Sequence, residues 1–337
     1  MNAPHEPAVA AAVQPAPGSL AAVARTYLDA YRGRDDSRYQ RINAWVRLLG
    51  DKIFASVTPD EIETAMQVLA TEPAKVYAGK DADDQPVFRK KTTGQRSGAT
   101  LNRYLVALGA LYTWARRQPP KADGTRLLPR GFVPPTKEVP KHQESPGRVR
   151  YLKTDERERL LEACLASPWP RLYLLVMMGM TTGARRGELL GLRWCDIDFE
   201  AGEAHIGEDQ TDRERATKNG DARTLILLPA VLVELDKFKP KDAAKSTALV
   251  FRSRLRPSQP YASAQVFNEA LTAAGIKNFR FHDLRHTAAS YMAQSGASLL
   301  EIADTLGHRQ LRMVQRYAHL NTSSRRNLMT RVFEGRL

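Results

Sequence analysis

The sequence predicts a mainly α-helical protein, with a helical first domain followed by a mixed α+β domain that holds one small antiparallel sheet. Three observations lead there. Apolar residues recur at helical spacing over most of the 337 residues. A proline-rich stretch at 119–148 separates two long patterned regions. Within the second region lie three short β-type runs, and Asn219-Gly220, a strong hairpin-turn signal, falls between the last two. The length also exceeds one ordinary hydrophobic core, which favours two domains.

Taken in order, residues 1–19 are rich in Ala and Pro and read as a disordered tail. They lack the basic start and apolar run of a secretory signal. From 20 to 118 the pattern is helical, with Val23, Tyr27 and Leu28 on one segment and Ile42, Trp45, Val46 and Leu49 on the next. Thr58-Pro59-Asp60-Glu61 reads as a helix start: a capping threonine, proline at the first helical position, then acids in the first turn. That helix carries Ile62, Met66 and Leu69, and a further one from about Ser97 buries Leu101, Leu105, Leu108 and Trp114. Between these two, residues 75–95 are polar and turn-rich, with Lys80, Arg89, Lys90 and Lys91. They read either as a solvated insertion or as a loop that touches phosphates.

Residues 119–148 contain Pro119, Pro120, Pro129, Pro134, Pro135, Pro140 and Pro146, and read as an extended linker with the domain boundary near Arg148. The second domain, 149–337, opens with Thr154 as a cap followed by Asp155 and Glu156. Helices are expected to about 166 and over 171–180, then a turn at Thr181-Thr182-Gly183 before the helix that carries Arg185. Strands are expected at 196–199, 204–206 and 223–228. Helix then resumes from Leu232, through 282–294 and 299–306, to the end.

Composition narrows the function classes. Lys and Arg number 51 against 37 Asp and Glu, a formal net charge of +14, which favours a polyanionic partner, nucleic acid before membrane. Charge alone is a weak argument, because many basic proteins bind nothing specific. Cys164 and Cys195 make no metal-ligand spacing and read as reduced thiols of a cytoplasmic protein. The longest apolar stretch, 172–180, is far too short to span a bilayer, so no membrane partner is expected.

The chemistry-bearing residues are informative only in combination. His282 and Arg285 stand three apart and would share a helix face, as would Arg185 and Glu188, and in each case a plain salt-bridging role is a sufficient explanation. His308 and Tyr317 cannot share a face of one straight helix, because at about 100° per residue they fall on opposite sides. They converge only if the chain turns between them, and Gly307 offers the break. His308 is therefore expected at a helix start, with Tyr317 on a following short helix.

In order, the chain has Arg185 within Thr182-Gly183-Ala184-Arg185-Arg186-Gly187-Glu188-Leu189 and Lys218 within the polar run 217–224. It then has His282 and Arg285 within Phe281-His282-Asp283-Leu284-Arg285-His286-Thr287, His308 within Leu306-Gly307-His308, and Tyr317 within Gln315-Arg316-Tyr317-Ala318-His319. This arrangement closely resembles the tyrosine recombinase, or phage integrase, family across both domains. The resemblance implies site-specific recombination of double-stranded DNA, integration or excision of a mobile element, through a 3′-phosphotyrosyl intermediate with no metal or ATP as cofactor. It further implies a first domain that closes over DNA as one half of a clamp, and a homotetramer on two duplexes. Accessory DNA-bending proteins are candidate partners. The C-terminal segment 324–337, with Leu328, Val332 and Leu337, would pack on a neighbouring protomer or cap its own domain. No separate arm-binding domain is expected, which implies a simple recombinase.

The chemistry assigns roles within that implication. A phenol with its usual pKa near 10 needs a partner that takes or steers its proton before it attacks. Arg185 and Arg285 suit the charge on the non-bridging oxygens, because guanidinium forks bind phosphate bidentately. His308 and His282 add donors, with His282 the expected proton acceptor for Tyr317. Lys218 would protonate the departing 5′-oxygen. A topoisomerase using the same groups is the nearest enzymatic rival, and a catalytically silent DNA-binding protein is the alternative from another class.

Overall fold

The computed structural model describes residues 15–33, 35, 37–73, 75–80, 86–90, 95–120, 122–145, 148–207, 222–308, 310–320, 329–330 and 332–334, with backbone alone for 75–80 and 86–90. The chain divides into two compact units, Met1–Gly147 and Arg148–Leu337. It is mainly α-helical, and its three-stranded sheet lies in the second unit.

The first unit is built on four helices: α1 (Leu20–Ala30), α2 (Ser37–Leu49), α3 (Pro59–Thr71) and α4 (Gly98–Arg117). Their starts are set by side chains that accept otherwise orphaned backbone N–H groups. The Ser19 hydroxyl accepts from the Ala22 N–H and the Ser97 hydroxyl from the Thr100 N–H. At α3, Thr58 accepts from the Glu61 N–H at 3.3 Å, while the Glu61 carboxylate accepts from the Thr58 N–H at 3.0 Å. Ile42, Trp45, Leu49, Ile62, Met66, Leu69, Leu101, Leu105 and Leu108 are buried as their spacing requires, whereas Leu28, Val46 and Trp114 are only partly covered.

Two segments of this unit differ from expectation. Residues expected as an insertion or loop at 75–95 contain a hairpin, β1 (Lys75–Lys80) antiparallel to β2 (Pro86–Lys90), with Lys75 opposite Lys90 and a register shift between Tyr77 and Gly79. Sheet pairing satisfies backbone groups whatever the side-chain polarity, so a charge-rich pair of strands carries little hydrophobic periodicity. The proline-rich stretch is also more than a spacer. Leu128 and Val139 are buried in the first core. The Asn102 amide donates to the His142 carbonyl and accepts from the His142 N–H, both at 2.9 Å.

In the second unit, α5 (Thr154–Leu165) starts one residue earlier than expected. Lys153 is the cap, and its N–H donates to the Glu156 carboxylate at 3.0 Å; Thr154 is the first helical residue. Helix α6 (Leu172–Thr182) is buried along nearly its whole length, as a helix apolar on all sides must be, and packs against α5, α8 and α10. It ends at Gly183, whose φ of 63° is left-handed and cheap only for glycine. Next come α7 (Arg186–Gly191), then β3 (Ile197–Asp198), β4 (Glu203–Ile206) and β5 (Arg223–Ile226), paired antiparallel in that order. Then follow α8 (Pro229–Asp236), α9 (Ala264–Ala273), α10 (Asp283–Gln294) and α11 (Leu299–Leu306), and after α11 two short 3-10 helices, Leu311–Met313 and Gln315–Leu320. The chain breaks at Gly307, and Tyr317 lies on a following short helix, as expected. Cys164 and Cys195 are free thiols. No helix among the described residues is long and apolar enough to cross a membrane.

Candidate active site

Arg185, His282, Arg285, His286, His308 and Tyr317 line one cleft of about 530 Å³ in the second unit. Five of these were expected from the sequence. Lys218, the sixth expected residue, lies outside the described residues.

Arg285 sits in the first turn of α10 and is 3% exposed. Its two terminal nitrogens donate to the Gly183 carbonyl at 2.7 Å and the Leu306 carbonyl at 2.6 Å. Both carbonyls lie at helix C-termini, α6 and α11, where acceptors lack helical partners and the dipole is negative. Desolvation, then the nearby Arg185 and Arg223, push the Arg285 pKa down to about 9, which still leaves it charged near neutral pH. A guanidinium has five N–H groups, so donors remain for an anion.

Arg185 stands at the N-cap of α7 rather than on the helix, with its side chain held by Glu188 at 2.6 Å and its own N–H bonded to the same carboxylate at 2.8 Å. The expected ion pair therefore exists, and it leaves Arg185 lining the cleft. His308 follows the left-handed Gly307 that ends α11, so it lies past a helix end, where a helix start was expected. Its N–H donates to the Ala303 carbonyl at 2.8 Å, and its buried Nδ1 has no hydrogen-bond partner among the described residues. Burial, then Arg285 and Arg185, push its pKa down to about 4. His282 is exposed at the N-cap of α10, its pKa lowered by partial desolvation and by Arg285.

Tyr317 lies on the second 3-10 helix and is 2% exposed. Its hydroxyl hydrogen-bonds the Nδ1 of His286, not His282 as expected. Desolvation, then the neighbouring His282, push the His286 pKa down to about 4, so the ring is neutral and can accept a proton. Burial raises the Tyr317 pKa. His286 was legible in principle: it stands one helical turn after His282 and shares its face. Tyr291, on α10, is committed elsewhere, donating to the Leu152 carbonyl at 3.1 Å.

A guanidinium on helix-end carbonyls, a second on a carboxylate, neutral imidazoles and a buried phenol together suit nucleophilic attack on a phosphodiester. The comparisons with known proteins agree. Residues 150–324 match the Phage integrase family. The integrase of Salmonella phage P22 is 27% identical over 302 residues, covering 85% of this chain and 71% of that protein. Tyrosine recombinase XerD of Caulobacter vibrioides is 29% identical over 259 residues, 72% of this chain and 84% of that protein. A solved structure of the Tn1549 transposon integrase, in complex with a circular intermediate DNA, shares the fold at 16% identity and a TM-score of 0.63, covering 93% of this chain and 99% of that one. The chain belongs to the phage integrase family of tyrosine recombinases. It is a tyrosine-type site-specific DNA recombinase, an enzyme of the DNA breaking-and-rejoining class.

Proposed function

We propose that Tyr317 is the nucleophile of this reaction. Its oxygen attacks the scissile phosphorus, the bond to the 5′-oxygen breaks, and a 3′-phosphotyrosyl link forms as a 5′-hydroxyl leaves. The observation that carries this reading is the hydrogen bond between the Tyr317 hydroxyl and a neutral His286, in a cleft lined by Arg185, Arg285 and Arg316. His286 takes the phenolic proton, replacing His282 in that role. Arg185, Arg285, His282 and His308 hold the non-bridging oxygens, and each preorganised donor is worth about 3–4 kcal/mol of barrier. Lys218 protonates the 5′-oxygen. Attack on the phosphotyrosyl bond by a 5′-hydroxyl from a second duplex completes strand exchange and releases Tyr317, so the backbone-bond energy is kept without ATP.

In this reading residues 149–337 are the catalytic domain, residues 20–118 are a DNA-binding domain, and the working form is a homotetramer on two recombination sites. Most of the segment 324–337, expected to pack on a neighbouring protomer or cap its own domain, lies outside the described residues. Tyr317→Phe removes only the hydroxyl, so DNA binding should persist while covalent attachment to a nicked duplex disappears. The duplex would carry the junction sequenced from cells that express the chain. An adduct still formed by Tyr317→Phe sinks the assignment. For Lys218, a 5′-bridging sulfur needs no proton on leaving, so Lys218→Ala should recover on that substrate; equal impairment on oxygen and sulfur excludes a general acid. Joining of two duplexes, rather than relaxation of one, separates a recombinase from a topoisomerase.

A further inference from the structure

Arg223, the first residue of β5, belongs to none of the roles above, yet it touches the supports of both Arg185 and Arg285. One terminal nitrogen donates to the Glu188 carboxylate at 2.7 Å, and the other donates to the Leu306 carbonyl. Glu188, only 6% exposed, uses its second oxygen to hold Arg185 at 2.6 Å. The Leu306 carbonyl also accepts from Arg285 at 2.6 Å. The chain of contacts therefore runs Arg185, Glu188, Arg223, the Leu306 carbonyl, Arg285, and returns through the Gly183 carbonyl to the turn beside Arg185. Residues from β5, α7, α10 and the end of α11 meet in it.

Gly307 is shaped to the same contact. A Cβ there would lie 2.6 Å from a terminal nitrogen of Arg223 and 3.0 Å from its Cδ, so the glycine admits this arginine as well as the left-handed turn.

We propose that Arg223 is a positioning residue: by spanning the Glu188 carboxylate and the Leu306 carbonyl, it fixes the spacing of Arg185 and Arg285 and draws off part of the carboxylate's charge. This rests on the reading of Arg185 and Arg285 as phosphate holders. Without Arg223, one buried carboxylate faces Arg185 alone, and the guanidinium is held more tightly by Glu188 than by an incoming phosphate. Arg223 does not touch DNA in this scheme; it acts through the other two arginines.

The test uses the full chain and single-turnover cleavage of the nicked junction duplex. Arg223→Met keeps the length of the stem and removes both donors; Arg223→Lys keeps the charge but cannot span two acceptors. Arg223→Met should slow cleavage by about 10- to 100-fold, the range for residues coupled in one network, with duplex affinity little changed. Arg223→Lys should fall between that variant and the parent. On a duplex with a methylphosphonate at the scissile position, which lacks the charge Arg185 is held ready for, both deficits should shrink. Because loss of a buried charge partner can unfold a domain, melting curves accompany each variant; if Arg223→Met does not fold, Arg223→Lys on the two substrates decides. Cleavage within about twofold of the parent overturns the proposal, since independent sites agree to that margin. An equal deficit on phosphate and methylphosphonate also overturns it, because it marks a merely structural residue. Arg185→Ala separates the two readings: normal cleavage by that variant sinks the phosphate-holding assignment, whereas a dead Arg185→Ala beside normal Arg223 variants sinks only this inference.

Discussion

The two units handle buried polar groups in opposite ways. In the first, the Trp45 indole donates to the Tyr104 carbonyl at 2.9 Å and the Tyr112 hydroxyl to the Phe54 carbonyl at 3.1 Å. These are neutral groups, each with a main-chain partner, inside an apolar core. In the second, Asp283 and Arg285 are buried charges, and Arg285 spends its terminal donors on two helix-end carbonyls while still lining a cleft. Neutral donors satisfied inside a core add stability and little else. Burying a charge costs folding energy, and its placement beside a cleft marks where binding is expected to offset that cost.

The comparison can be broken most severely at Arg285. Arg285→Ala should lower the single-turnover cleavage rate by about 10²–10³-fold, the cost of removing one preorganised donor, and a rate near that of the parent would show the charge to be structural. Leu108, fully buried in the first unit, should behave in reverse. Leu108→Ala is expected to cost about 2–5 kcal/mol of stability in urea or thermal melts, with cleavage per folded molecule at saturating DNA unchanged.

Acid provides a third contrast. His286 and His308 fall from 6.5 to about 4 in the folded chain. As pH drops below 6.5 the unfolded chain therefore takes protons first, and the stability these rings contribute, full above 6.5, is lost toward about pH 4. Hydrogen exchange at pH 7 and pH 5 should show protection falling around α10 and α11, and equal loss at α1–α4 would count against this account. Cleavage should keep its neutral acceptor at His286 until pH nears 4. The smallest expected effect is Thr58→Ala, which removes one side of the α3 capping box for about 1 kcal/mol, read as a lower melting temperature with unaltered chemistry.

What the sequence revealed follows the same division. Capping and periodicity placed Thr58, Ile62, Met66 and Leu69, because those signals are local and each residue reports its own environment. The motifs placed Arg185, His282, Arg285, His308 and Tyr317 in one cleft. The choice of His286 over His282 as partner of Tyr317 depends on how α10 is rotated against the 3-10 helix, a tertiary fact with no local signature. The Asn102 contacts with His142 join residues far apart in sequence, and composition at 119–148 suggested only extended chain. Arg223 escaped notice because one more arginine in a basic protein is unremarkable until its two acceptors are seen.

Glu188 is the one carboxylate paired with Arg185 and Arg223, and Arg223 shares the Leu306 carbonyl with Arg285; this has a consequence for how the protein behaves before DNA arrives. Surplus positive charge in a cleft makes it a receptor for small oxyanions, and a ligand bound only by the folded chain raises its stability by mass action, about 2.7 kcal/mol at one hundred times its dissociation constant. Sulfate or inorganic phosphate, exchanged for chloride at constant ionic strength, should raise the melting temperature and slow cleavage together. General salt screening weakens DNA binding through counterion release at many phosphates, whereas this competition acts at one. A melting temperature unmoved by either anion would count against such a site.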